Sequence, residues 1–288
     1  MVQAHELMRA DFIVADLSDT VSSLIGQLER HKQTMAVVFD GSTYKGMVAK
    51  KWLLSSRIDP SQMRLKNLIT HRSKSKTQFF VPKLTPETEL QEIARLLATG
   101  DVHALPVIEV EHKKEKVVGI VHSIDVINEL RTFYTRVRAD ELASMKLITI
   151  NQDEELGKAM NLMSKQGIGR VVVVDDSNKL VGIISLTDII TDVTALPRSN
   201  MRISKAGSHQ QGKRSGFGTG EKTSILKLPV HNVLTHVPNC CTVSPESSVG
   251  DAITQMVEEN VYSVVLIKKD IPVGILTVKD ILEDFSKA

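Results

Sequence analysis

Four stretches of the chain place apolar residues at the same offsets. They are Val21, Leu24, Ile25 and Leu28; Leu90, Ile93, Ala94 and Leu97; Leu156, Ala159, Met160 and Met163; and Val249, Ala252, Ile253 and Met256. Such spacing lies on one face of a 3.6-residue helix, so each stretch predicts an amphipathic helix with a buried stripe. Asp19, Thr88, Asp153 and Ser247 precede the stretches as N-cap candidates, and Gly100 and Gly167 are candidate stops for the second and third helices.

A second period follows each helix. RVVVV, a polar DDSNK and LVGII read as two β-branched strands around a turn, and MAVVFDGSTYKGMVA, LPVIEVEHKKEKVVGIV and VVLIKKDIPVGIL follow the same plan. Each second strand carries a glycine: Gly46, Gly119, Gly182 or Gly274. A second helix is expected after each hairpin, from WLLSS, DVINEL, DIITDV and DILEDF. The predicted unit is strand, helix, strand, strand, helix, used four times; agreement of four registers is the signature of an internal repeat. The boundaries drawn from it are residues 1–60, 61–136, 137–197 and 225–288 for the four repeats, with 198–224 as a linker.

Where strand runs into helix, the repeats read GIVHSID, GIISLTD and GILTVKD, and the first departs as GMVAKKW. On this motif the chain resembles the cystathionine-β-synthase (CBS) domain family, over nearly its whole length apart from the linker. Four repeats in one chain are also similar to the γ subunit of AMP-activated protein kinase and its stand-alone archaeal look-alikes. The resemblance implies an α+β fold, β-α-β-β-α repeats paired into two Bateman modules, and ligand clefts between paired sheets.

Thr187 and Asp188 frame the chemical question. On residue type alone they cap a helix, satisfying free backbone N–H groups. A carboxylate can also accept from both hydroxyls of a ribose diol, and a helix N-terminus can hold phosphate. The family resemblance favours ribose, and the two roles are compatible. It implies that Asp188 is joined by Thr242, Val243, Tyr262 and Ser263, giving the fullest set. For Asp280 it implies Thr149, Ile150, Gly169 and Arg170, with Lys279 in place of the usual hydroxyl. Asp125 has only Ile124 beside it, and Trp52 stands where the first repeat would need its aspartate, so no ribose site is expected there. His103 matches a family position that can reach phosphate, although a histidine among apolar residues also serves structure. Arg170 is a phosphate candidate because an arginine in an apolar strand needs an anionic partner; the alternative partner is Asp175.

Composition narrows the function classes. The 288 residues carry 42% hydrophobic and 24% charged side chains, with no apolar run long enough for a membrane span. Aromatic residues are 4%, too few for base-stacking platforms. The two cysteines, Cys240 and Cys241, are adjacent and read as buried thiols in a reducing cytoplasm. The net charge of +2 conceals an uneven distribution: residues 198–222 hold six basic side chains and one acid. This glycine- and serine-rich segment reads as a solvated tether that could touch an acidic partner, including nucleic acid. Its GFGTGEKTS is a near-miss to a phosphate loop: Glu221 replaces the glycine before Lys222, and no strand leads in.

No nucleophile–base pair and no metal-ligand spacing stands out, so catalysis and a metal are not expected, and no cofactor is required. The expected role is a regulatory sensor of AMP, ADP or ATP, acting in trans on an unidentified protein effector and able to homodimerise through its modules. The alternatives are an interaction scaffold using the basic linker and a sensor of an S-adenosylmethionine-type ligand.

Overall fold

A computed structural model describes residues 2–55, 63–67, 82–195, 226–236 and 240–288. The basic segment 198–224 lies outside the described residues.

The first repeat comprises β1 (Val14–Asp16), α2 (Val21–Arg30), β2 (Met35–Asp40), β3 (Thr43–Ala49) and a 3-10 helix, Lys50–Ser55, preceded by a one-turn helix α1 (Ala4–Leu7). The second comprises α3 (Leu90–Gly100), β4 (Ala104–Glu111), β5 (Lys114–His122) and α4 (Ser123–Leu130). Its leading strand shrinks to a parallel bridge between Leu84 and Val107. Another one-turn helix, α5 (Ala139–Leu142), opens the third, followed by β6 (Thr149–Asn151), α6 (Leu156–Gln166), β7 (Arg170–Val174), β8 (Leu180–Ser185) and α7 (Leu186–Ala195). A short β9 (Thr235–His236) is added to its edge, and the fourth repeat runs β10 (Thr242–Val243), α8 (Val249–Glu258), β11 (Ser263–Lys268), β12 (Ile271–Thr277) and α9 (Val278–Phe285).

In repeats one, three and four the leading strand pairs parallel to the next, which pairs antiparallel to the third. All four hairpins slip register just after the residue opposite the second-strand glycine: Val38 faces Gly46, Val107 faces Gly119, Val173 faces Gly182 and Leu266 faces Gly274. A bulge there bends the strand and re-aims the residues beyond it.

The predicted stripes are the buried ones. Val21, Leu24, Ile25, Leu28, Ile93, Ala94, Leu97, Leu156, Ala159, Met163, Val249, Ala252, Ile253 and Met256 are buried, while Leu90 and Met160 pack at the edges.

Repeats pair through sheets and then through helices. Met35, Val37 and Met47 of repeat one share a core with Val107 and Ile120 of repeat two, and Val172 of repeat three meets Val265 of repeat four. The resulting modules meet helix to helix: α3 and α4 pack on α8 and α9, and the 3-10 helix and α2 pack on α7.

Several helix ends differ from expectation. The N-caps are Thr20, Glu89, Glu155 and Ser248, one or two residues after the candidates. Asp19 and Thr88 instead accept backbone N–H groups of Asp16 and Thr85, closing the turn before the helix. Asp153 contacts His231, and the Ser247 backbone N–H closes a turn onto Ser244. Gly167 ends its helix in the left-handed conformation, but Gly100 stays helical and Asp101 takes that turn, at φ 48°. Of the WLLSS stretch, Trp52–Ser55 is 3-10 rather than α, in a segment that starts at Lys50.

Candidate functional site

The bulged strands deliver three aspartates to helix starts, and local chemistry treats them in two ways. In the third repeat Asp188 Oδ2 accepts from the Ser185 backbone N–H at 2.9 Å and the Ser185 hydroxyl at 2.8 Å. In the fourth, Asp280 Oδ2 accepts from the Thr277 N–H at 2.8 Å and its hydroxyl at 2.6 Å. The hydroxyls accept in return from the aspartate backbone N–H groups, completing reciprocal caps. The capping reading of Asp188 therefore holds, with Ser185 rather than Thr187 as its hydroxyl. The pattern Ser/Thr-x-x-Asp in SLTD and TVKD was the available signal. In the second repeat the N-cap is His122, whose side chain makes no cap bond; Asp125 is held instead by Arg9, through Nε at 2.8 Å and Nη2 at 2.5 Å.

A cavity of about 710 Å³ opens beside Asp280. The fourth repeat contributes Tyr262, Thr277, Lys279 and Asp280; the third contributes Ser144, Lys146, Gly169, Arg170, Ser185 and Thr187. Lys51 and Trp52 enter from the first repeat and Asp101, His103 and Ser123 from the second. Met160, Ile148 and Leu186 supply apolar wall. Trp52 thus packs at the junction of modules, where the motif departs from the other repeats.

The expected site residues are redistributed. Arg170, assigned to Asp280, donates through Nη1 to Ser263 Oγ at 2.5 Å, although Ser263 was assigned to Asp188. It therefore joins the residue sets expected at Asp188 and Asp280. The local partner Asp175 is occupied otherwise, accepting the N–H groups of Ser177 and Lys179. Tyr262 lies against His103, ring centres 4.0 Å apart, rather than standing only as a wall for Asp188. Thr149 is exposed and Ile150 buried on β6; Thr242 is half-buried and Val243 buried on β10, and none of the four lines the cavity. Asp188 is outside the cavity lining too, though Thr187 is within it.

Charge converges on this cavity. Lys51 Nζ donates to Asp101 Oδ2 at 2.6 Å, and Lys279 Nζ stands 3.7 Å from Asp101 Oδ1. Burial lifts the Asp101 carboxyl, but Lys51, Lys279 and His103 outweigh it and hold it below its usual range. Burial lowers the Arg170 guanidinium, with Asp188, Tyr262, Asp101 and Asp280 opposing. Burial, then Arg170 and Lys51, push His103 down to about 3, so its ring is neutral near pH 7. Asp280 is raised by burial, against the bonds from Thr277. A desolvated carboxylate of this kind gains from further donors. Ser123 Oγ, in the cavity wall, is buried without a hydrogen-bond partner. Lys51, Asp101 and Ser123 were not legible as site residues, because only the contact between modules brings them here; Ser144 and Lys146 arrive with the segment in which Ser144 pairs with Ile275.

The CBS domain family matches residues 80–132, 139–194 and 230–287. The chain belongs to the CBS domain family. The first repeat lies outside the match, in keeping with its altered motif, yet keeps the strand–helix–hairpin order. Among curated relatives, the uncharacterized protein MJ1232 of Methanocaldococcus jannaschii is 35% identical over 37% of this chain and 34% of its own length. Protein MJ1404 of the same organism is 26% identical over 96% of this chain and 60% of its own. The chain thus spans a third to three fifths of these relatives. Among solved structures, protein MJ1225 of M. jannaschii, proposed as an archaeal homologue of γ-AMPK, matches 99% of this chain and 100% of its own at 15% identity, with a TM-score of 0.75. That likeness establishes the four-repeat fold in two Bateman modules. Among the described residues no helix is long and apolar enough to cross a membrane.

Proposed function

We propose that the protein is a cytoplasmic regulatory sensor that binds an adenine nucleotide, AMP, ADP or ATP, and acts in trans on a protein effector. One observation carries the reading: a single cavity joins a carboxylate, Asp280, to cationic side chains from different repeats, Lys51, Arg170 and Lys279. Asp280 would take the ribose diol, Ile148 and Met160 would flank the base, and the cations would take the phosphates. Thr187 and Asp188, with Thr242, Val243, Tyr262 and Ser263, would form a second cleft coupled to the first through Arg170. The cations favour phosphates over the sulfonium of S-adenosylmethionine, since like charges repel. A ligand touching four repeats binds differently to different module arrangements, which is the requirement for a signal. No side chain is assigned a catalytic step.

Titration calorimetry on the full chain with AMP, ADP, ATP and S-adenosylmethionine, beside Asp280→Ala and Asp188→Ala, tests this. Phosphate-dependent binding weakened on the order of 100-fold in Asp280→Ala is the expected result, from the loss of two charge-assisted hydrogen bonds. Silence from all three nucleotides in nucleotide-free protein sinks the reading.

A further inference from the structure

The chain contains two equivalent arms, and they treat two equivalent aspartates differently. QAHELMR, residues 3–9, and RADELAS, residues 138–144, each hold a one-turn helix whose third residue, Glu6 or Glu141, accepts the backbone N–H of Gln3 or Arg138. Each then lies antiparallel on the third strand of the neighbouring repeat, just after its glycine. Arg9 exchanges backbone hydrogen bonds with Ile120 at 2.8 and 3.0 Å, and Ser144 does so with Ile275 at 3.0 and 3.1 Å. The glycines permit the crossing: a Cβ on Gly119 would stand 3.0 Å from the Arg9 carbonyl, and one on Gly274 would stand 3.3 Å from that of Ser144. Arg9 and Ser144 are therefore the same position, as are Asp125 and Asp280.

At Asp280 the arm brings a short hydroxyl and leaves a cavity. At Asp125 it brings a guanidinium that engages both carboxylate oxygens. Those are the two acceptors a ribose diol would need. Asp125 also makes no cap bond, so its carboxylate is committed to Arg9 where Asp188 and Asp280 are committed to their helices. The Arg9 side chain is 50% exposed, so it can swing into water without losing a buried environment.

We propose that Arg9 is a removable stopper in a further diol-binding cleft, at Asp125, which accepts a nucleotide ribose once the guanidinium leaves. The inference rests on the nucleotide reading above. A neutral diol must displace two charge-assisted bonds, which weakens binding at this cleft by about 10- to 100-fold relative to an open one. The sensor thus carries a low-affinity site, filled only when nucleotide is abundant or when something else draws the arm away.

The test is AMP calorimetry on the full chain as wild type, Arg9→Ser and Arg9→Ser/Asp125→Ala. The serine copies position 144, and the backbone bonds to Ile120 do not depend on the side chain. Arg9→Ser should bind one more AMP per chain than wild type, and the double variant should lose that gain. An unchanged stoichiometry, or weaker binding that makes Arg9 a ligand contact, overturns the stopper. Should Arg9→Ser not fold by far-UV circular dichroism, Arg9→Lys, which keeps the charge and loses the fork, must show a smaller gain at Asp125; no gain overturns the proposal equally. The two readings fail separately. If wild type binds no nucleotide, the sensor reading of the open cavity fails, while an Asp125-dependent gain in Arg9→Ser still supports the stopper.

Discussion

The surroundings of Asp125 and Asp280 start from one plan and end with opposite contents. Both have a bulged strand, a glycine crossed by an arm, and an aspartate six residues later at a helix start. At Asp280 the aspartate caps its helix and faces a 710 Å³ cavity shared with Lys51, Arg170 and Lys279. At Asp125 it is clamped by Arg9. A repeated backbone therefore fixes where a carboxylate stands. Single side chains on crossing segments decide whether it is available.

The sharpest way to break this comparison is to delete each carboxylate. Asp280→Ala should cost AMP affinity on the order of 100-fold and, through the lost cap, about 1 kcal/mol of stability. Asp125→Ala should leave the tight AMP binding at Asp280 unchanged and remove only the weak binding seen at high AMP, because its acceptors are taken by Arg9. Equal losses in both variants, read by calorimetry, would mean that the clefts are equivalent and that Arg9 moves aside at no cost.

Most of the fold was legible in the sequence and much of the site was not, for physical reasons. Leu24, Ile93, Ala159 and Ile253 announce buried helix faces because a stripe must be covered by something. An amphipathic face does not name its partner, so the packing of α4 on α8 and of α7 on the first repeat could not be read. Lys51 and His103 reach the cavity only through that packing. The N-cap errors at Asp19 and Thr88 arise because the residue before a cap is often polar too, serving the turn. Helices α1 and α5 are four residues each, too short for any period to show. The similarity of AHEL to ADEL was the remaining signal, and following it would have aligned Arg9 with Ser144.

The glycines offer the next test. Gly119→Ala places a Cβ against the Arg9 carbonyl and against Met8 Cγ and Sδ, all at 3.0 Å. The arm's backbone must yield, which should destabilise the protein by about 1–3 kcal/mol and loosen the Arg9–Asp125 clamp. At Gly274 the nearest atom is Met145 Sδ at 2.8 Å, the far end of a flexible side chain that is 47% exposed. Gly274→Ala should therefore cost less than Gly119→Ala in chemical denaturation. The reverse order would show that the second arm is the more rigid one.

Protonation separates the clefts more gently. His103 faces the open cavity beside Arg170, Lys51, Asp101 and the Tyr262 ring, and titrates at about 3 in the folded protein. Its unfolded value is about 6.5, so between those limits the unfolded chain binds the extra proton. This contribution to stability is intact above about pH 6.5 and declines as pH falls toward 3, with a slope approaching about 1.4 kcal/mol per pH unit at most. His103→Gln should flatten that part of the profile in denaturant titrations; an unaltered slope would assign the acid sensitivity elsewhere.

The smallest effect belongs to the closed cleft. His122 is also lowered, first by burial and then by Arg9, while Asp125 and Asp11 pull the other way. Replacing Arg9 with serine removes the repelling cation and frees the Asp125 carboxylate to act on His122 alone. The His122 ring should then titrate higher than in wild type in NMR of the imidazole protons, whereas His103 should hardly move. The same substitution should change thermal stability little, since a half-exposed ion pair is worth about 0–1 kcal/mol. A large fall in stability with no change at His122 would make Arg9 a staple for the arm. A shift at His122 with stability retained is the pattern of a stopper, because a stopper has to be able to leave.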